Sequence, residues 1–227
     1  MNISNTTKTI AYAVLAILLG LGVFYGLTKY QEKNKPPERL TLREITQLAE
    51  HDRIQALEER ISELLGQVKD LAENAESGTK YTVYIQLVEA QLELGKFPEA
   101  LDNLNQIPED KRNSSRYAAA NVRALKGVGD LVKAKELSAV NLALYGEDPG
   151  VWAAHLEVNS DLPNEELNAL YRQAIPATKS NVDVMISYAK FCEKIGDKAT
   201  AIAAWETARN VDPGNSAKYE QEIARLR

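Results

Sequence analysis

A glycine recurs along this sequence at a nearly constant interval, each time inside the same local pattern. Gly95, Gly129 and Gly196 each follow an apolar residue, precede a polar one and have an alanine five residues later. The first two glycines are 34 residues apart, and the third lies 67 residues further on, which is one interval of 34 and one of 33. A period of this length, with apolar residues at helical spacing on both sides, indicates an array of helical hairpins.

The repeated glycine and alanine have separate physical roles in such an array. Glycine adopts the left-handed backbone conformation without steric cost, so we predict that a helix ends at each glycine and the chain turns back there. The alanines fall on the second helix of each hairpin, where a small side chain lets two helices approach closely. They are Ala100, Ala134 and Ala201.

These features resemble the tetratricopeptide repeat (TPR) family, and the resemblance covers residues 81–215. With each glycine as the fifteenth residue, the repeats are 81–114, 115–148, 149–181 and 182–215. The fourth repeat matches the family pattern best, whereas the third lacks the turn glycine and is one residue short. The resemblance implies an all-α fold in which four repeats form a right-handed superhelix, with a capping helix at 216–227.

In this family the first helix of every repeat lines a concave face that binds partner proteins or peptides. Carried over to this sequence, the resemblance implies a partner-binding surface that includes Ile85, Glu89, Leu92, Arg116, Arg123, Lys126, Glu157, Ile186 and Lys190. The three basic residues Arg116, Arg123 and Lys126 share one side of a helix. They would pair with carboxylates of a peptide. We favour the alternative, which is a solvated helix face that neighbouring Glu and Asp residues balance.

The N-terminal part of the chain has a different character. Twenty residues from Thr9 to Thr28 carry no charge, and as a helix they would extend about 30 Å, the thickness of a bilayer core. We therefore predict a short tail and transmembrane helix in residues 1–28, in contact with membrane lipid, and a polar linker at 29–40. A cleaved signal peptide is the alternative. Gly22 and Gly26 form a Gly-x-x-x-Gly pair, which either packs two such helices as a homodimer or is incidental.

The segment between the linker and the repeats, residues 41–80, has helical patterning. Its apolar residues from Ile54 to Leu71 alternate at spacings of three and four, as in the seam of a coiled coil. The run covers only about two and a half heptads, which is short for a coiled coil. We therefore favour a helix that packs this stripe onto the helices that follow, with a short coiled coil as the alternative.

The charges that flank the predicted span bear on which side of the membrane the repeats occupy. Lys8 alone precedes the span, whereas five basic residues follow it, namely Lys29, Lys33, Lys35, Arg39 and Arg43. Because positively charged flanks stay on the cytoplasmic side, we expect the repeats on the cytoplasmic face. The periplasmic face is the alternative, since N-terminal anchors in bacteria often leave the N-terminus inside.

Composition argues against several other classes of function. Beyond residue 39 the chain has 22 basic and 30 acidic side chains, so it lacks the basic surface that nucleic-acid binding requires. It has two histidines and one cysteine, and it contains no phosphate-binding loop, His-Glu-x-x-His or Cys-x-x-Cys motif. We therefore expect no enzymatic activity, no metal site and no cofactor.

The function that fits these features best is that of a membrane-tethered scaffold or adaptor. Such a protein would bind a protein or peptide partner and support assembly or translocation of a membrane complex. The alternative is a structural subunit of an oligomeric membrane assembly, with no peptide ligand in the groove. The first predicts an accessible concave face, and the second predicts that mutation of that face disrupts assembly.

Overall fold

The computed structural model describes residues 40–45, 48–71 and 75–227. The chain divides into two units, Met1–Gln47 and Leu48–Arg227. Within the first unit a short helix, α1 (Leu42–Ile45), begins with a reciprocal capping box. The Glu44 carboxylate accepts a hydrogen bond from the Thr41 backbone N–H at 2.7 Å, and the Thr41 hydroxyl accepts one from the Glu44 N–H at 3.3 Å.

The second unit is built from α-helices, and the described residues contain no β-strand, which confirms the predicted all-α class. Two short 3₁₀ turns lie at Glu109–Lys111 and Pro213–Asn215. The α-helices are α2 (Glu50–Asp70), α3 (Ser77–Glu93), α4 (Phe97–Asn105), α5 (Ser115–Gly127), α6 (Leu131–Tyr145), α7 (Pro149–Val158), α8 (Asn164–Ala177), α9 (Val182–Lys194), α10 (Lys198–Val211) and α11 (Ser216–Leu226).

Four successive hairpins, α3–α4, α5–α6, α7–α8 and α9–α10, follow one another along the second unit. Their boundaries lie near the predicted repeats, although α3 begins at Ser77, four residues before the predicted start at 81. The first helices of the first three hairpins are neighbours, since α5 contacts both α3 and α7. This stacking lets side chains from three hairpins contribute to one surface.

The three repeat glycines turn the chain as predicted. Gly95, Gly129 and Gly196 have φ angles of 74°, 88° and 82°. Each turn closes with a hydrogen bond back into the preceding helix, for example from the Asp130 N–H to the Leu125 carbonyl at 2.9 Å. Asp130 then caps the next helix, because its carboxylate accepts a hydrogen bond from the Lys133 N–H at 3.3 Å. The Gly-Asp pair therefore ends one helix and begins the next.

Close approach between helices depends on small residues at two kinds of position. Ala100, Ala134 and Ala201 are fully buried, which confirms the role predicted for them. A further contact, which the repeat pattern does not indicate, joins Gly127 at the end of α5 to the ring of Phe97 at the start of α4. A Cβ placed on Gly127 would lie only 2.0 Å from that ring. The absence of a side chain at Gly127 therefore lets the ring pack directly against the backbone.

A single helix packs on each end of the hairpin array. At one end, α2 buries Leu57, Ile61 and Leu64 and packs on α3. This is the arrangement that we favoured over a short coiled coil. At the other end, α11 packs on α10, and its Tyr219 and Ile223 join the core of the fourth hairpin. Both helices cover apolar surface that the terminal hairpins would otherwise expose to water.

The third hairpin reverses without a glycine, as its sequence implies. Its turn runs through Asn159, whose φ is −100°, and its second helix, α8, begins after Pro163. Positive φ angles occur instead where α8 ends, at Lys179 (54°) and Ser180 (57°). The Ser180 N–H donates to the Ile175 carbonyl at 2.8 Å, so this helix closes like those that end in glycine.

No helix in the described part of the chain is long and apolar enough to cross a membrane. The predicted span in residues 1–28, with Gly22 and Gly26, lies outside the described residues. The linker predicted at 29–40 lies outside them as well, apart from its last residue, Leu40.

Candidate binding groove

An open groove of about 570 Å³ lies between α3, α5 and α7, the first helices of three successive hairpins. Its floor is made of small or apolar residues and its walls are largely charged. The floor residues are Leu92, Ala119, Ala120, Gly150 and Ala153, and the other lining residues are Glu89, Ser115, Arg116, Arg123, Asp148 and Glu157. A groove of this size, with an apolar floor and a polar rim, has the dimensions of a ligand site.

The helices that form the floor approach each other closely. A Cβ placed on Gly150 at the start of α7 would lie 3.9 Å from the Cβ of Ala119 on α5. Ala153 is exposed, whereas Leu92 and Ala120 are buried beneath the surface. A ligand in the groove would therefore contact methyl groups and backbone rather than large side chains.

One wall of the groove is an ion pair between α5 and α3. The Arg116 guanidinium donates from two nitrogens to the two carboxylate oxygens of Glu89. This hydrogen bonding raises the pKa of Arg116 above its usual value. The Arg116 side chain is still half exposed, so the pair lies open to solvent at the rim of the groove.

A second network crosses the groove from α3 through α5 to α7. Arg123 on α5 donates to Glu93 on α3 at 3.0 Å and to Glu157 on α7 at 3.2 Å. Lys126 donates to the other oxygen of Glu157 at 3.1 Å. Burial lowers the pKa of Arg123, but the charges and hydrogen bonds of Glu93 and Glu157 outweigh burial and raise its pKa overall. Arg123 therefore remains a permanent cation that links three hairpins.

The predicted basic stripe is thus fully paired. Arg116, Arg123 and Lys126 all have carboxylate partners on neighbouring first helices. This arrangement matches the alternative given for the stripe, a helix face that neighbouring carboxylates balance, and not a stripe that is free to bind carboxylates. A ligand that brings a carboxylate would have to replace Glu89, Glu93 or Glu157 at one of these cations.

Asp148 lies at one end of the groove and caps α7. Its carboxylate accepts hydrogen bonds from the backbone N–H groups of Gly150 at 2.8 Å and Val151 at 3.2 Å. The sequence-based surface did not include Asp148, Gly150 or Ser115. The dipeptide Asp148-Pro149 is a helix-start signal, and it would have placed the beginning of α7 at this end of the groove.

The nine residues predicted to bind a partner separate into several environments. Five line the groove: Glu89, Leu92, Arg116, Arg123 and Glu157. Lys126 is beside it through its pair with Glu157, whereas Ile85 is fully buried among α3, α4 and α5. Ile186 packs against the core of the fourth hairpin, and Lys190 is exposed on α9, so neither lines this groove.

Other chemistry in the described residues is limited. No group of three or more His, Cys, Asp or Glu side chains among them is arranged to hold a metal ion. Cys192 is buried in the fourth hairpin, and burial raises the pKa of its thiol. His155 on α7 lies 3.1 Å from the Ser138 hydroxyl, and burial lowers its pKa.

Comparison with known proteins supports the fold. No protein-family model matches this sequence, and no curated protein is similar at a significant level. The crystal structure of TTC0263, a thermophilic TPR protein in Thermus thermophilus, superposes with a TM-score of 0.60 at 16% identity. The match covers 82% of this chain and 96% of that one. MamA from Desulfovibrio magneticus RS-1 matches with a TM-score of 0.45 at 18% identity, over 65% of this chain and 83% of that one. The likeness to TTC0263 shows that this chain has a TPR-like fold.

Proposed function

We propose that this protein is a membrane-tethered scaffold that binds a segment of a partner protein in the groove between α3, α5 and α7. The observation that carries the proposal is the composition of the groove. Its floor presents small side chains and its rim presents charged groups from three hairpins. A bound segment would contact all three hairpins at once, which suits recognition of a peptide better than that of a small molecule.

The groove favours a segment with small or slender apolar side chains and with charged groups at its edges. Ala119 and Ala153 leave room for such side chains on the floor. At the rim, a partner carboxylate would compete with Glu157 for Arg123 and Lys126. Arg123 and Lys126 are partly buried, so the partner carboxylate has to restore the hydrogen bonds that Glu157 gives up at both cations.

The tether in this proposal is the uncharged run from Thr9 to Thr28, which would cross the membrane once. The basic residues that follow it favour repeats on the cytoplasmic face, and the periplasmic face is the alternative. The scaffold would support assembly or translocation of a membrane complex, without catalysis and without binding nucleic acid. If Gly22 and Gly26 pack two spans together, Gly22→Ile should reduce self-association of the full chain.

Site-specific photo-crosslinking in cells tests the binding site. A benzophenone amino acid at Ala153 should give a discrete adduct with a partner protein, because Ala153 is exposed on the floor of the groove. The matched control is Ala203, an exposed alanine on α10. Equal adducts from both positions, or none from Ala153, would contradict the proposal.

Alkaline extraction of membranes tests the tether independently. The full chain should stay in the membrane pellet after carbonate treatment. A Leu19→Lys/Val23→Lys variant should be released, because two lysines cost about 5–7 kcal/mol at the centre of a span. Retention of both proteins, or release of both, would count against a transmembrane tether. Protease added to intact spheroplasts then tests the orientation, since digestion of the repeats without lysis would contradict the cytoplasmic assignment.

A further inference from the structure

The outward face of α6 is unusually apolar for a helix at a protein surface. Val132, Val140 and Leu144 are 73%, 56% and 66% exposed. Val128 and Leu131, at or just before the start of α6, are exposed as well. Together these five are more than half of the nine exposed large hydrophobic residues in the described part of the chain. Such a concentration of exposed apolar side chains marks a surface that another molecule covers.

The fully buried positions of α6 have a different composition. The residues that it buries are Ala134, Ser138 and Asn141, which are small or polar. The Asn141 amide donates to the Ala118 carbonyl at 3.1 Å, and the Ser138 hydroxyl donates to the Lys135 carbonyl at 2.8 Å. Leu137 and Leu142 are partly buried and pack against the core, whereas Val132, Val140 and Leu144 are left out of the chain's own packing.

The exposed face has the form of a helix-packing surface. Val132, Val140 and Leu144 occur at multiples of four residues, so they lie on one ridge of the helix, in which the exposed Glu136 occupies the remaining position. Ala139 and Ala143 are exposed beside this ridge. Their small side chains leave a groove in which the ridge of a second helix would fit.

Charges at the two ends of α6 indicate which helix that would be. Lys133 lies in the first turn of α6, Glu147 lies two residues past its end, and each is seven residues from Val140. Both are exposed, and neither has an ion-pair partner among the described residues. In an antiparallel pair of α6 helices centred on Val140, each Lys133 comes opposite the Glu147 of the other copy. A parallel pair would instead bring like charges together.

We propose that α6 is the contact surface between two copies of this chain, which pack antiparallel about a twofold axis near Val140. An isologous contact of this kind requires one surface that is complementary to itself. The ridge is apolar except for Glu136 and has opposite charges at its two ends, so it meets that condition. The occupant of the α6 face is thus a second copy of this chain.

The contact is small, which determines how it should behave. A helix of 15 residues is about 22 Å long, and one helix pair buries less than the roughly 800 Å² per partner of a typical stable complex. The dimer should therefore be weak in dilute solution and stronger where copies are concentrated. The greater strength expected at the membrane rests on the membrane tether of the proposed function. The assignment of the α6 face as the contact does not depend on that tether.

Cysteine crosslinking of the full chain in membranes tests the contact. Val140→Cys lies at the proposed axis, so a short bismaleimide should join two copies in high yield. Val211→Cys is the matched control, because Val211 is an exposed valine (48%) on a different helix, α10. The native Cys192 is buried and sets the background. We expect at least about a fivefold higher yield from Val140→Cys, and equal yields would overturn the proposal.

Charge exchange tests the antiparallel arrangement. In the Val140→Cys chain, Lys133→Glu and Glu147→Lys should each lower the crosslinking yield by about threefold, because each change breaks two symmetric pairs. The double variant should restore the yield, since it rebuilds both pairs with the charges exchanged. Failure of rescue would overturn the antiparallel pair. A crosslink to a different protein, or protection of Val140→Cys by lipid without a homodimer, would overturn the second copy as occupant.

Discussion

Replacement of Gly127 by alanine should destabilise the protein, although alanine is the better helix former. Gly127 is the last residue of α5, so the gain in helix propensity is at most about 1 kcal/mol. The new Cβ would lie 2.0–2.5 Å from three atoms of the Phe97 ring, against an ordinary contact of 3.4–4 Å. The ring would have to move by more than 1 Å out of its packed position. Overpacking of this kind costs about 1–3 kcal/mol, so we expect a net loss of about 1–2 kcal/mol.

The same substitution elsewhere gives the matched control. Gly66 lies inside α2, and a Cβ placed there meets no atom within 4 Å. Gly66→Ala should therefore stabilise the protein by about 0.5–1 kcal/mol, because it gains helix propensity without a clash. The two variants make the same chemical change, and the predicted effects have opposite signs.

Urea unfolding of residues 40–227, followed by circular dichroism, measures both effects. The free energy of unfolding should fall for Gly127→Ala and rise for Gly66→Ala. A smaller side chain without a ring should relieve the clash, so Gly127→Ala should cost less in a Phe97→Leu background than in the native one. A Gly127→Ala variant as stable as the native protein would refute the role of this contact.

Three further substitutions test the packing, the turns and the pH dependence. Ala201→Leu should lower the free energy of unfolding by about 1–3 kcal/mol in urea, because Ala201 is fully buried in the fourth hairpin; Ala203→Leu is its exposed control. Lys179→Gly should raise the melting temperature by a few degrees, since Lys179 has a φ of 54° and glycine adopts this conformation without strain; an unchanged or lower value would contradict that reasoning. Burial lowers the pKa of His155, so the folded protein favours the neutral imidazole. The contribution of His155 to stability is therefore complete above the usual pKa of 6.5 and declines as the pH falls below that value. Between pH 7 and pH 5 the free energy of unfolding should therefore fall less steeply for His155→Gln than for the native protein, and His51→Gln is the control. An unchanged slope would show that His155 is not the source of this pH dependence.

The sequence predicts the local features of the fold because each depends on a few neighbouring residues. Gly95, Gly129 and Gly196 turn the chain wherever the pattern recurs, and the alanine that follows each is buried in every case. The close contact between Gly127 and Phe97 was not predictable in this way, since it joins two hairpins and lies outside the repeated pattern.

The candidate site depends on distances that the sequence does not contain. The sequence indicates that Arg116 and Arg123 share a helix face, but their carboxylate partners lie on other helices. Glu157 is 34 residues from Arg123, and only the stacking of the hairpins brings the two together. Ile85 is the clearest departure from the predicted surface, because it is fully buried in the core although it shares a face of α3 with Leu92, which lines the groove. A repeat register therefore gives the faces of helices, and packing decides which of those faces stay open.

The affinity of the crosslinked partner for groove variants shows whether that partner binds in the groove. Once a partner segment is identified through Ala153, calorimetry should compare its binding to the native protein, to Ala153→Trp and to Ala203→Trp. We expect at least about a tenfold weaker affinity for Ala153→Trp, whose indole would fill the groove, and an unchanged affinity for Ala203→Trp. Equal affinity for all three proteins would contradict the groove between α3, α5 and α7 as the binding site.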